Sequence, residues 1–448
     1  MPDALTRSLA ACVADLKFEA ILEKALSVVR LGFTDSTGTM IAGSIEEAPK
    51  LLEKVLAPGA GNASLYLAGP RIPAPDAALI NATAAHALDF DDVALRGHPS
   101  TVLVPAILAE GESLGATGAQ LATAYAAGYE VWAELAGRDP DQHHQKGWHP
   151  TGIFGPIGAV AACASLHGLD AERTAQALAL AASHSAGLVA NFGTMTKPYH
   201  AGRAAHAGVI SARLAAAGFT ASPDGLEHPL GFLAAVSPGG KADRDSPSKI
   251  GKEWQMLKQG LSIKQYPLCY CTHRAIDGML DLLAVHPLQA DDVERIVVST
   301  SRRNATILRN HRPQTGLEAK FSMPFAMASC LVARRVGLAE LTDAFAQRAD
   351  VQRAMPKVTV APNDREDPKR PGDAPYDLVT IETRDGRSLE SEQVRRERGS
   401  PGKPLSEEAL WAKFSSCAAV GNPTLDARKL FDALMSIDRQ PGVAALRA

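Results

Sequence analysis

The chemically densest stretch of this chain is His86-Ala-Leu-Asp89-Phe-Asp91-Asp92, followed closely by Gly97-His98-Pro99-Ser100. It places two imidazoles and three carboxylates within thirteen residues of an alanine-rich run. The spacing puts His86, Asp89 and Asp92 on adjacent positions of one helix face. Imidazoles beside carboxylates are the groups that move protons near neutral pH. The plain alternative is a hydrated helix face beside a loop. His98 stands just before Pro99 at an expected helix start, where backbone N–H groups and the helix dipole favour an anion.

Two further stretches repeat that arrangement. Trp148-His149-Pro150-Thr151-Gly152 sets a histidine before a glycine-rich helix, and Thr194-Met-Thr-Lys197-Pro198 sets a lysine before another, with His200 three residues further on. Lys264, before Tyr266-Pro267, is a fourth candidate. Each has an ordinary reading alone, as a helix-start residue or an exposed lysine. Together they describe a pocket for a small di- or tricarboxylate.

Other chemistries find less support. Alternation would put Cys269, Cys271 and His273 on one side of an extended segment, but a zinc site of that kind wants a fourth ligand. No Cys-x-x-Cys, His-Glu-x-x-His or EF-hand pattern completes it, and no cysteine set suits an iron–sulfur cluster. The expectation is therefore no metal and no cofactor. No Gly-x-Gly-x-x-Gly follows a strand, and no Walker loop occurs. Ser183-His184-Ser185 lacks a nucleophile-elbow context and reads as helix packing.

The elements that must position these residues are helical from Leu5 to about Ala235. A helix covers Ile21 to Ile41, and the helix with His86 ends near Asp92. Thr117 with Gln120 forms a capping box for a helix through Trp132, and Asp170 caps another. Residues 138–149 form a polar loop. Residues 237–252 read as the best linker. Beyond them, Arg295–Thr300, Lys357–Val360 and Leu378–Thr383 read as strands, with Asp385-Gly386 at a hairpin turn. A helix from Phe325 to Arg335 alternates with these strands, and Ser406 caps a returning helix. The expected division is an all-helical domain of residues 1–265 and 404–448, with an α+β domain of residues 266–403 between them.

At 448 residues, with 46% apolar and 21% charged side chains, the chain is a folded protein of two or more domains. A formal charge of −3 without a long basic run recommends neither nucleic acid nor an anionic membrane as partner. No segment offers about twenty uninterrupted apolar residues, and the N-terminus does not read as a secretion signal. Six cysteines, mostly on apolar faces, read as reduced thiols, so a cytoplasmic location is expected.

The motifs also resemble, almost end to end, the MmgE/PrpD family, which includes 2-methylcitrate dehydratase, cis-aconitate decarboxylase and iminodisuccinate epimerase. The resemblance rests on His86–Asp92, Gly97–Ser100, Gly147–Gly152, Phe192–Pro198, Lys264–Pro267, Thr272–Asp277, Glu318–Pro324 and Arg398–Pro401. It implies a mainly α fold, with a large all-α domain from both chain ends and a smaller α+β lid, usually in a homodimer. It also implies metal- and cofactor-free lyase chemistry beside a carboxylate, as a dehydratase or decarboxylase. An epimerase of the iminodisuccinate type and a non-catalytic carboxylate binder are the alternatives.

Residues matching the cis-aconitate decarboxylase pocket are Asp89, His98, His149, Lys197 and Lys264. The resemblance makes His98 the proton-transfer residue, with Asp89 orienting it or serving as partner acid. Lys197, Lys264 and His149 would hold carboxylates, assisted by His200. His86, Asp92, Arg96 and Phe325 complete the expected substrate contacts. Two matches fail, because Val93 replaces a threonine and Phe325 a tyrosine, and the loop carrying Arg96 is one residue shorter. Losing two hydroxyls, each worth roughly 0.5–1.5 kcal/mol as a hydrogen bond, implies a change of substrate or reaction.

Overall fold

The structure is a computed structural model that describes residues 4–368 and 372–447. Helices hold 56% of the residues and strands form only two small sheets, so the protein is mainly α. It divides into two compact units, Met1–Ser262 with Glu407–Ala448, and Ile263–Ser406. No helix among the described residues is long and apolar enough to cross a membrane.

Nine helices dominate the first unit: α1 (Leu5–Asp15), α2 (Glu23–Gly43), α3 (Glu47–Leu56), α4 (Ala74–Ala87), α5 (Ser100–Leu114), α6 (Gly118–Gly137), α7 (Pro150–His167), α8 (Ala171–Ala182) and α9 (Thr196–Ala216). The helix Glu407–Gly421 packs back against α2. A short antiparallel ribbon joins β1 (Ala63–Ser64) to β2 (Arg71–Ile72). α4, α5 and α7 are buried almost throughout. Alanine and glycine make that possible, because thin helices let neighbours approach on several sides. A Cβ at Gly208 would lie 2.3 Å from that of Ala159, and one at Gly202 would lie 2.2 Å from Thr83 Oγ1. Overpacking either contact costs about 1–3 kcal/mol. Both tie α9 to its neighbours α7 and α4, which is what holds Lys197 and His200 in place.

The caps expected at Thr117 and Asp170 are present. The helix carrying His86 is shorter than expected. It ends at Ala87, and Asp89 turns into the left-handed region at φ +51°. Short polar side chains such as aspartate tolerate that conformation and compete with the helix for backbone hydrogen bonds. His86, Asp89 and Asp92 therefore do not share a helix face.

Beyond Asp89 runs a loop with Leu95 at φ +51° and Arg96 at φ +66°. Such residues cost on the order of 1–3 kcal/mol each and persist only where the surroundings impose them. Here Val93 and Ser262 exchange backbone hydrogen bonds of 2.9 and 3.0 Å, and Gly97 N donates to the Ala94 carbonyl at 2.8 Å. Residues 237–252 are not a free linker either. They lie inside the first unit, where the Arg138 guanidinium donates to the Asp243 and Ser246 carbonyls at 3.1 Å.

In the second unit β3 (Val293–Ser301) lies between β4 (Val358–Asn363), parallel to it, and β5 (Leu378–Thr383), antiparallel to it. A turn with Gly386 at φ +86° joins β5 to β6 (Ser388–Glu390). The β-branched runs fall inside these strands, and Val379, Ile381 and Thr383 alternate inward along β5. The helix Met323–Ala333 starts two residues before Phe325, which is buried edge-on to Phe345 with ring centroids 6.1 Å apart. The segment from Cys269 to His273 is not extended. Tyr270–Thr272 form a 3-10 turn leading into a helix, so the three candidate ligands do not alternate onto one side. Among the described residues, no group able to hold a metal includes them.

Candidate active site

Three helix starts and the end of a fourth helix converge in the first unit. His86 sits in the last turn of α4, His98 two residues before α5, His149 at the N-cap of α7, and Lys197 in the first turn of α9. The convergence follows from the packing of these helices through small residues. The His86 and His98 ring centroids are 4.4 Å apart, His86 and His149 5.9 Å, and His98 and His149 6.3 Å. Phe192 closes one side, edge-on to His149 at 4.9 Å and with Lys197 Nζ 5.4 Å from its ring centroid. His98 N also donates to Thr151 Oγ1 at 3.2 Å, which ties the starts of α5 and α7 together.

Asp91 is the electrostatic centre. His86 Nδ1 donates to its two oxygens at 2.9 and 3.0 Å, and His98 Nδ1 lies 2.9 Å from Asp91 Oδ2. His98 Nδ1 also donates to the Asp92 carbonyl at 2.9 Å. With the Nδ1 protons directed this way, Nε2 of each ring carries the lone pair. Burial drives His86 down to about 3, although Asp91 pulls it up. Burial opposes ionisation of Asp91, but the two imidazoles beside it outweigh that and hold its carboxyl well below the usual range. At neutral pH Asp91 is a carboxylate and His86 a neutral base.

His149 and His200 form a second pair, Nδ1 to Nδ1 at 3.0 Å. Burial and then the Lys197 charge push His149 well below its usual value and His200 to about 4. Lys197 Nζ donates to Asp89 Oδ1 at 2.8 Å, both side chains being buried. Asp91 contacts the His98 ring, and Asp89 pairs with the lysine. The left-handed turn at Asp89 is what sends its side chain and that of Asp91 to different partners.

Asp92 belongs to a separate buried group. Burial, then Asp35 and Asp91, raise its pKa well above normal, which favours its neutral form. Lys413, from the helix Glu407–Gly421, lies 2.5 Å from Asp35 Oδ1, donates to the Phe90 carbonyl at 2.7 Å and sits 4.1 Å from the Phe90 ring centroid. Arg96 donates to the Asp141 carbonyl at 2.7 Å, joining its loop to the polar loop of residues 138–149. Lys264 and Phe325 are fully buried and belong to the second unit.

Of the expected residues, the fold thus brings together His86, Asp89, His98, His149, Lys197 and His200. Sequence reasoning passed over Asp91, Thr151, Asp35 and Lys413. A carboxylate within the apolar run of α2 that follows Arg30 was a usable sign for Asp35; Lys413 carries no local sign. The gathered groups can exchange protons at Nε2 of His86 or His98 and can meet carboxylates with Lys197 and backbone N–H groups at the helix starts.

This arrangement can be set beside known proteins. Residues 7–245 match the MmgE/PrpD N-terminal domain and residues 266–434 the MmgE/PrpD C-terminal domain. The chain is 26% identical to the cis-aconitate decarboxylase of Homo sapiens, covering 94% of this chain and 89% of that protein. The Mus musculus protein of the same name is 27% identical, with 94% and 88% covered. That of Aspergillus terreus strain NIH 2624 is 24% identical, with 83% and 80% covered. With both domains matched in order across nearly its whole length, the chain belongs to the MmgE/PrpD family.

Proposed function

We propose that this protein is a lyase that removes a group from a small di- or tricarboxylate by proton transfer beside a carboxylate, without metal or organic cofactor. Decarboxylation is the favoured form. The carrying observation is the Asp91 carboxylate beside two imidazole Nδ1 atoms, next to the Asp89–Lys197 pair. Similarity to proteins named cis-aconitate decarboxylase supports the reaction class.

In this reading, Lys197 and the helix-start N–H groups hold substrate carboxylates. When carbon dioxide leaves, the bonding electron pair stays on the carbon framework as an allylic or enolate-like anion. His98, protonated from solvent at Nε2 before the step, delivers that proton to quench the anion, and solvent restores it. Asp91 keeps the ring oriented and stabilises its cationic form, as a buried carboxylate does for a catalytic histidine. The hydroxyl hydrogen bond lost with Val93 in place of threonine goes with a substrate different in detail from cis-aconitate. A homodimer is part of the proposal.

A second reading, epimerisation, draws on the 6.3 Å separation of the His98 and His149 rings, which would let two bases flank one carbon. Proton NMR in deuterium oxide, with EDTA and a panel of di- and tricarboxylates including cis-aconitate, tests both. Loss of substrate with one deuterium in the product supports the lyase. Deuterium in recovered substrate without net loss supports the epimerase. Binding of the carboxylates with no exchange and no turnover overturns both.

A further inference from the structure

We propose that the imidazoles of His86, His98 and His149 bind one divalent transition-metal ion of the zinc type, and that this ion excludes the carboxylate substrate. One ligand nitrogen of each lies within 4.8 Å of the others. Around a tetrahedral ion with metal–nitrogen bonds of about 2.0–2.1 Å, such atoms stand roughly 3.3 Å apart. Side-chain rotations of an ångström or so close the difference.

The hydrogen bonding already matches what a metal needs. The Nδ1 protons of His86 and His98 point at Asp91 and the Asp92 carbonyl, which leaves the lone pairs on Nε2. A carboxylate behind a ligating histidine is the usual supporting arrangement, because it fixes the tautomer and raises ligand basicity. His86 Nε2 is buried without a hydrogen-bond partner, the kind of orphaned acceptor that a cation or a proton satisfies. His149 presents Nε2 in the same way when its Nδ1 donates to His200.

Charge also permits the ion. Asp89 and Asp91 with Lys197 leave one net negative charge among neutral imidazoles, and a second combination of His86, Asp89, Asp91 and His98 has its ligand atoms equally close. The ion would occupy the Nε2 atoms that the proposed proton transfer needs. Only this inhibitory consequence rests on the proposed function; binding stands apart from it.

The test is titration of the EDTA-treated, dialysed full chain with Co2+, followed by d–d absorption, with Zn2+ as competitor. We expect one equivalent per chain, displaced by Zn2+. His86→Gln and His149→Gln should each weaken binding at least about tenfold, and Asp91→Asn about 10–100-fold, the range for losing a carboxylate hydrogen-bonded behind a ligating histidine. Circular dichroism checks that each variant is folded. Cys269→Ser/Cys271→Ser should leave the titration unchanged. No absorption, or absorption that survives both histidine changes or disappears with the cysteines, overturns the site. Separately, a substrate found by NMR should shift the Co2+ titration, and Zn2+ should inhibit competitively and reversibly with EDTA. Metal and substrate binding together would overturn the shared-site claim while leaving the ligand set intact.

Discussion

Replacing Asp91 with asparagine is the sharpest test of how the site works. The substitution keeps the shape and removes the charge. It also offers an amide N–H to an imidazole nitrogen, which favours the tautomer with its proton on Nε2 instead of Nδ1. Two imidazole Nδ1 atoms lie within 3.0 Å of the carboxylate. Hydrogen bonds to charged groups contribute about 1.5–3 kcal/mol each. If both are felt in the transition state, the loss is roughly 3–6 kcal/mol, and 1.36 kcal/mol is a factor of ten in rate. Turnover should therefore fall by about 10²–10⁴, with KM changed far less, because Lys197 and the helix starts remain. Initial rates by NMR on the substrate found in the panel, with circular dichroism as a fold control, provide the assay. Turnover within about threefold of the parent protein would refute the placement of Asp91 at the centre of the chemistry.

Other outcomes follow from neighbouring geometry. Lys413→Met should lower the unfolding free energy by about 3–5 kcal/mol, because it strands Asp35 as a buried charge; urea titration measures this, and a loss under 1 kcal/mol would contradict the buried pair. Gly187→Ala should impair activity about tenfold or more, since Gly187 has φ +140° and a Cβ there would press 3.1 Å from the His200 ring, disturbing the pair with His149; an unchanged rate would remove that pair from the site's requirements.

Buried histidines should make stability fall with acid, opposed in part by Glu130 and Asp377, whose buried carboxyls are raised to about 7. His86, His143 and His200 have folded values of about 3, 4 and 4, against about 6.5 unfolded, chiefly through burial. Above pH 6.5 all are neutral in both states and contribute nothing. Below it the unfolded chain takes up protons that the folded chain refuses, at up to about 1.4 kcal/mol per pH unit for each histidine. The effect saturates below the folded values. Urea unfolding from pH 7 to 5 should show a smaller loss of stability in His143→Gln than in the parent protein; equal pH dependence in the two would contradict it.

Much of the arrangement could be read directly. Each cationic or imidazole residue before a proline, at positions 98, 149 and 197, does stand at or beside a helix start, since a proline-initiated helix is a local signal. The caps at Thr117 and Asp170 are equally local. The strands of the second unit announced themselves by β-branched runs and an Asp-Gly turn. What misled was the spacing of His86, Asp89 and Asp92. Periodicity assumes the helix continues, and nothing in it registers a left-handed turn at Asp89.

By itself, then, the sequence determined the helical class, the family, and which imidazoles and lysines stand at helix starts, because these depend on neighbours a few residues apart. Which groups pair was decided only by the tertiary structure. His149 meets His200 across 51 positions, Lys197 meets Asp89 across 108, and Lys413 meets Phe90 across 323. Such contacts arise from helices packed through glycine and alanine, and from a strained loop held by its surroundings. The same packing supplies the burial that lowers the pKa values of His86 and His149 and raises that of Asp92. A residue's type is local, whereas its charge state and its partner belong to the whole fold.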